Sequence, residues 1–206
     1  MRNVYVDFGE DSLIGPVQPT GNTIYFDGVS YKDGFIKYGY KCRFLWSEDK
    51  DYGYKIFINN TPMNIPPTEE QVRLVFTIQK LLFENGFSPE PYEVIRCEDK
   101  LREYFVIKMD NIKGKVPLSN GKDLPYAYGA EWVERLRKCC RENKIFSQFK
   151  NLDIIRWDGQ YPRDLDPFHF GLDKNGDIHP DSTNCILSEK DNKIYLVDVD
   201  IKFRIG

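Results

Sequence analysis

Apolar residues recur at Val72, Val75, Phe76, Ile78, Leu82 and Phe83, the i, i+3, i+4 spacing of a helix with one buried face. Pro66-Pro67 stand outside this stretch, Thr68 is placed to cap it, Glu69 and Glu70 fall in its first turn, and Asn85-Gly86 closes it. A second helical pattern runs from Gly129 to Lys144, with Trp132, Val133, Leu136 and Cys140 on one side. Everywhere else the apolar runs are short and rich in β-branched and aromatic residues, which predicts strands. They are Thr23 to Phe26, one or two strands within 34–46, Tyr52 to Ile58, Tyr92 to Arg96, Tyr104 to Met109, and Ile194 to Asp200. Turn signals separate them. Gly15-Pro16, Gly21-Asn22 and Asp27-Gly28 predict a hairpin-rich start, and Lys174-Asn175-Gly176-Asp177 and Lys190-Asp191-Asn192-Lys193 predict hairpin turns near the end. Asn111 to Leu124 is polar and glycine-containing and reads as a connector.

The order is strands, helix, two strands, connector, helix, then short strands. It predicts an α+β protein with a strand-rich first part, residues 1–113, and a helix-plus-hairpin second part, residues 114–206. The length of 206 residues suits one large domain or two small lobes. A net charge of −3 gives no sign of a general nucleic-acid or membrane-surface binder. No apolar run approaches the length of a membrane span, and the first residues lack a secretory apolar core, so a cytoplasmic location is expected. The five cysteines are odd in number and form no Cys-x-x-Cys pair, which predicts reduced thiols rather than a disulfide or zinc framework.

The chemistry-bearing positions are concentrated in the last quarter. Arg163-Asp164-Leu165-Asp166-Pro167-Phe168-His169 is one candidate loop, and His179-Pro180-Asp181 through Asn184 is another. The apolar run Ile194-Tyr195-Leu196-Val197-Asp198 puts a carboxylate inside a strand, where it requires a partner or a metal. Asp198 and Asp200 share a strand face by the period of two. Each position also has a plainer reading. Lys55 can point to solvent from its strand, Glu70 and Gln79 can form the polar side of an amphipathic helix, and aspartates beside prolines form turns.

Element order and residues together resemble the protein-kinase-like fold. Tyr54-Lys55-Ile56-Phe57 looks like its lysine strand, the helix from Thr68 its regulatory helix, Tyr92 to Ile95 its fourth strand, and Tyr104 to Asp110 its fifth strand and hinge. The resemblance implies two lobes: an antiparallel five-stranded sheet with one helix, then a reduced second lobe. It implies ATP and Mg²⁺ as ligands. Lys55, Glu70, Gln79 and Met109 would contact the nucleotide side. Asp164 would be the catalytic base in one placement of the catalytic loop, with His169 as metal ligand; Asp181 is the base in the other, with Asn184 as ligand. The first placement is preferred because Phe170-Gly171-Leu172 continues into a strand. In both, Asp198 is the metal aspartate, with Asp200 two residues on, and Lys55 and Asp198 share a cleft.

The chain departs from that family at several positions. Gly34 and Gly39 do not have the spacing of its glycine-rich loop, Gln79 stands where an acid pairs with the lysine, and Val199-Asp200 replaces Phe-Gly. A degenerate protein that binds a nucleotide weakly, or acts as a scaffold for a protein partner, therefore competes with an active phosphotransferase. A third reading takes Asp181, Asp200 and Lys202 as a PD-(D/E)xK nuclease centre.

Overall fold

The computed structural model describes residues 3–7, 23–26, 29–34, 42–46, 50–57, 67–98, 103–115, 126–147, 170–172, 178–180, 185–197 and 199. It is a mixed α+β structure, in which antiparallel pairing dominates the sheets. The chain forms two compact units. The first comprises Met1–Lys80 with Pro89–Asn111, and the second Leu81–Ser88 with Ile112–Gly206.

In the first unit, β1 (Asn3–Asp7), β2 (Thr23–Phe26), β3 (Val29–Gly34), β4 (Cys42–Trp46), β5 (Tyr52–Phe57), β6 (Pro91–Glu98) and β7 (Glu103–Asp110) close into a barrel of order β1-β2-β3-β4-β5-β7-β6. Closure leaves no strand edge unpaired. The strand period of two sends alternate side chains inward. Phe26, Leu45, Tyr54, Ile56, Ile95, Cys97, Tyr104 and Val106 fill the core, with the Phe26 and Tyr54 rings 4.5 Å apart.

Two features differ from the five-stranded antiparallel sheet expected above. The barrel has seven strands, and β1 pairs with β6 in parallel, Val4 opposite Cys97. That pairing joins residues some ninety positions apart with no hairpin between them, so no local turn signal announces it.

Helix α1 (Glu69–Glu84) joins β5 to β6 and begins as the capping pattern requires. Thr68 N donates to Gln71 Oε1 at 2.9 Å, and Gln71 N donates to Thr68 Oγ1 at 3.3 Å, a reciprocal box. Just past the helix end, Gly86 takes φ 78°, the left-handed conformation glycine adopts without a Cβ clash.

In the second unit, the connector carries a short strand, β8 (Gly114–Lys115). Helices α2 (Tyr126–Glu142) and α3 (Lys144–Ser147) follow, then β9 (Phe170–Leu172), β10 (Ile178–Pro180), β11 (Cys185–Ser188) and β12 (Ile194–Leu196). β9 pairs with β10, and β12, β11 and β8 form a three-stranded sheet, all antiparallel. Both predicted late hairpins are therefore flanked by paired strands. Asn192 takes φ 55° in the second of them, a conformation asparagine tolerates. A Cβ on Gly114 would lie 2.1 Å from the Leu187 carbonyl oxygen, so β8 can approach β11 only with glycine there. The Phe87 and Trp132 rings pack edge to face at 5.8 Å, and Leu196 N donates to Phe87 O at 2.7 Å. The predicted strand from Ile194 to Asp200 is shorter than expected and ends at Leu196. No helix among the described residues is long and apolar enough to cross a membrane.

Candidate functional site

Lys55 is the fourth residue of β5, between Tyr54 and Ile56, which both point into the barrel core. Alternation therefore turns Lys55 to the barrel's outer face, in a row with Gly53 and Phe57. Register places Ile107 opposite Lys55, Met109 opposite Gly53 and Phe105 opposite Phe57, so β7 supplies the neighbouring row. This face is not open to solvent. Lys55 is 0% exposed, and Phe57, Phe105, Ile107 and Met109 are buried with it. The Lys55 Nζ lies 5.3 Å from the centre of the Phe57 ring, within cation–π reach. The plainer expectation for Lys55, a side chain in solvent, is overturned.

Gln79 reaches the same face from α1. Val72, Val75 and Ile78 are the helix's buried apolar residues in this unit, and Gln79 is buried beside them, 0% exposed. Its Nε2 donates to Met109 Sδ at 3.4 Å, and its Oε1 has no hydrogen-bond partner. The expectation that Gln79 belongs to the polar side of an amphipathic helix is corrected: helical spacing from Val72 and Val75 carries position 79 onto the buried stripe. Glu70 is solvent-exposed in the first turn. Met109 and Lys55 are diagonal neighbours across the β5–β7 pair, a separation of about 7–8 Å between backbones. The Gln79 amide, through Met109, thus lies beside the Lys55 row.

This neighbourhood has unusual chemistry for a core. Lysine is almost never fully buried without compensation, because moving an ammonium out of water costs several kcal/mol. A glutamine carboxamide offers two donors and an acceptor, and here its one bond goes to a thioether, a weak acceptor. A buried ammonium on one strand and an under-satisfied carboxamide contacting the neighbouring strand are both groups able to bind an anion or a polar group.

A second polar group lies on the core-facing side of the same strands. The Lys108 Nζ lies 4.3 Å and the Lys50 Nζ 5.4 Å from the Tyr52 ring centre. Next to it, the exposed Tyr92 hydroxyl donates a short hydrogen bond to Asp110 Oδ1, and this bond pushes the Tyr92 hydroxyl above the ordinary tyrosine range. None of these was singled out from sequence. Lys108 and Tyr52 come together only through the β5–β7 register, which no local pattern reveals.

The remaining expected site residues, Asp164, Asp181, Asp198, Asp200, His169 and Asn184, lie outside the described residues, as does Lys202. The expectation that Lys55 and Asp198 share a cleft, and both placements of the catalytic loop, rest on them. His179 lies in β10. Among the described residues no three His, Cys, Asp or Glu side chains gather into a metal site. Cys97, Cys139 and Cys140 are buried, and burial pushes the Cys140 thiol well up. No protein-family model and no curated protein matches this chain.

Proposed function

We propose that this chain is a degenerate kinase-like protein whose Lys55 face binds a nucleotide weakly. The observation that carries the reading is the complete burial of Lys55 on a central strand. Taking an ammonium out of water is costly, and buried ionisable groups concentrate where ligands bind.

Topology supports the same reading. Strands β3-β4-β5-β7-β6 follow one another in that order, α1 is inserted between β5 and β6, and the lysine sits on the middle strand. The chain order of lysine strand, helix and two further strands is the order the resemblance implies. The helix also presents a side chain to the lysine's face, although that side chain is Gln79 rather than an acid. In the resemblance's terms Asp198, helped by His169 or Asn184, would hold Mg²⁺, whose chemistry is to neutralise phosphate charge. Lys55 would bind the same phosphates and Asp164 or Asp181 would orient an acceptor hydroxyl.

The substitutions argue for binding with little transfer. A glutamine cannot form the ion pair that fixes a lysine's position. Losing one preorganised charge contact commonly lowers a rate by about 10²–10³-fold.

A thermal-shift scan with ATP, GTP and buffer alone, each with and without Mg²⁺, tests the proposal. Binding to the native state raises the midpoint by mass action. A rise with ATP or GTP that disappears in Lys55→Met supports it. A well-folded sample whose midpoint is unmoved by millimolar nucleotide in every condition refutes it.

A further inference from the structure

The position of Gln79 bears on how an anion would be held. In a pair made of lysine and glutamate, the acid tethers the lysine and repels phosphate, because an ionised carboxylate only accepts hydrogen bonds. A carboxamide in the same position is neutral and also donates. Here the Nε2 end contacts the Met109 thioether at 3.4 Å, and the Oε1 end, buried and unpartnered, marks a position where a hydrogen bond is missing. Half a turn about the last side-chain bond exchanges the two ends and places an N–H₂ donor at that position, giving up only a bond to sulfur. No charge is buried by the exchange.

We propose that Gln79 is a direct phosphate ligand in this chain, donating to a nucleotide phosphate beside Lys55, and that nucleotide binding therefore needs no divalent ion. The inference rests on the nucleotide-binding reading above and deepens it. Its physical core is one unit of charge. With glutamine instead of glutamate, the face is more positive by one charge, and less of the phosphate charge has to be neutralised by a metal. At separations of several ångströms, a unit charge in a partly screened protein environment changes anion affinity by on the order of tenfold or more. Lys55 and Gln79 are both closed to solvent, so an anion reaches them only through a local opening, and association is slower than for a preformed open site.

The experiment is isothermal titration of the full chain with ATP, once in EDTA and once in excess Mg²⁺, for the wild type, Gln79→Glu and Gln79→Met. The expected wild-type affinities in the two conditions agree within about threefold. Gln79→Glu is expected to weaken binding in EDTA by about tenfold or more and to regain affinity when Mg²⁺ is added. Gln79→Met keeps the volume and the apolar stripe but has no donor, and is expected to lose about tenfold in both conditions. Its fold is independent of whether a glutamate is tolerated at that position, so the inference stays testable if Gln79→Glu does not fold. Wild-type binding that requires Mg²⁺ overturns this inference and leaves the proposed function standing. EDTA affinities unchanged in Gln79→Met overturn the role of Gln79 alone. Absence of ATP binding in both conditions, from a folded sample, overturns the proposed function and this inference together.

Discussion

Replacing Gln79 by methionine should make the protein more stable, although it removes a polar contact. Gln79 is 0% exposed within a stripe whose other members are Val72, Val75 and Ile78. Its Oε1 lacks a partner, and a buried acceptor left without one costs about 1–3 kcal/mol. Against this stands one hydrogen bond to the Met109 thioether, a weak acceptor. Methionine has a similar length and adapts its three torsions to the space, so little volume changes. The balance is a gain of about 1 kcal/mol. For a chain of this size that corresponds to roughly 2–4 °C in Tm. Urea titration of both proteins, read at equal slope so that only the midpoint changes, measures the difference directly. Loss of more than about 0.5 kcal/mol on substitution would refute the reasoning, because it would mean that the carboxamide is fully satisfied in solution. A gain in stability joined to weaker nucleotide binding would identify Gln79 as a residue whose local penalty is tolerated for function.

Three further outcomes follow from particular contacts. Gly53→Ala brings a Cβ to 2.7 Å from the Leu45 carbonyl oxygen and 2.8 Å from the Phe44 ring, so a loss of about 1–3 kcal/mol is expected in denaturant titration, and a neutral result would contradict the β4–β5 spacing. The Cys140 thiol, raised by burial above its ordinary value of 9.0, stays protonated in the folded chain when the unfolded chain ionises. Its contribution to stability is complete below pH 9 and falls as the pH rises above that value, so Cys140→Ala should flatten the alkaline decline of the urea midpoint; an unchanged decline counts against the burial argument. Phosphotransfer should be weak or absent. A turnover above about 1 s⁻¹ on any acceptor, abolished by Asp198→Ala, would place the chain among active enzymes instead.

How far the sequence could be read depended on whether the determining interactions were local. Helix α1 was legible from Thr68 to Asn85 because its cap, its apolar spacing and its closing glycine all lie within twenty residues. The hairpin at Asp191-Asn192 was legible for the same reason, and of the other predicted hairpin the flanking strands β9 and β10 are seen to pair. Helix α2 begins at Tyr126, three residues before the predicted start, because Tyr126 to Tyr128 carry no capping signal. The seventh strand and the closure of the barrel were not legible, since β1 meets β6 in parallel across most of the first unit. Asn111 to Leu124 hid β8, whose two residues are fixed by contact with Leu187 rather than by their own pattern.

The candidate site divides in the same way. Lys55 was found as a lysine inside an apolar strand, but its burial depends on both faces of β5 being covered, which the strand alone does not state. Gln79 is legible as the position where the resembling family has an acid, but its side of the helix is not the polar one expected. Residue type argued for the polar face, and helical geometry placed it on the buried one.

Direct titration of the full chain with ATP, comparing wild type with Lys55→Met, tests the central claim most closely. Methionine keeps the length and apolar stem of the lysine and removes the ammonium, and a urea titration establishes that the variant is folded before it is titrated with nucleotide. The account predicts saturable binding of one nucleotide per wild-type chain, with an affinity at least tenfold weaker in the folded Lys55→Met protein. Equal affinity in the two proteins, or no heat of binding from a folded wild-type sample at millimolar ATP, would contradict it.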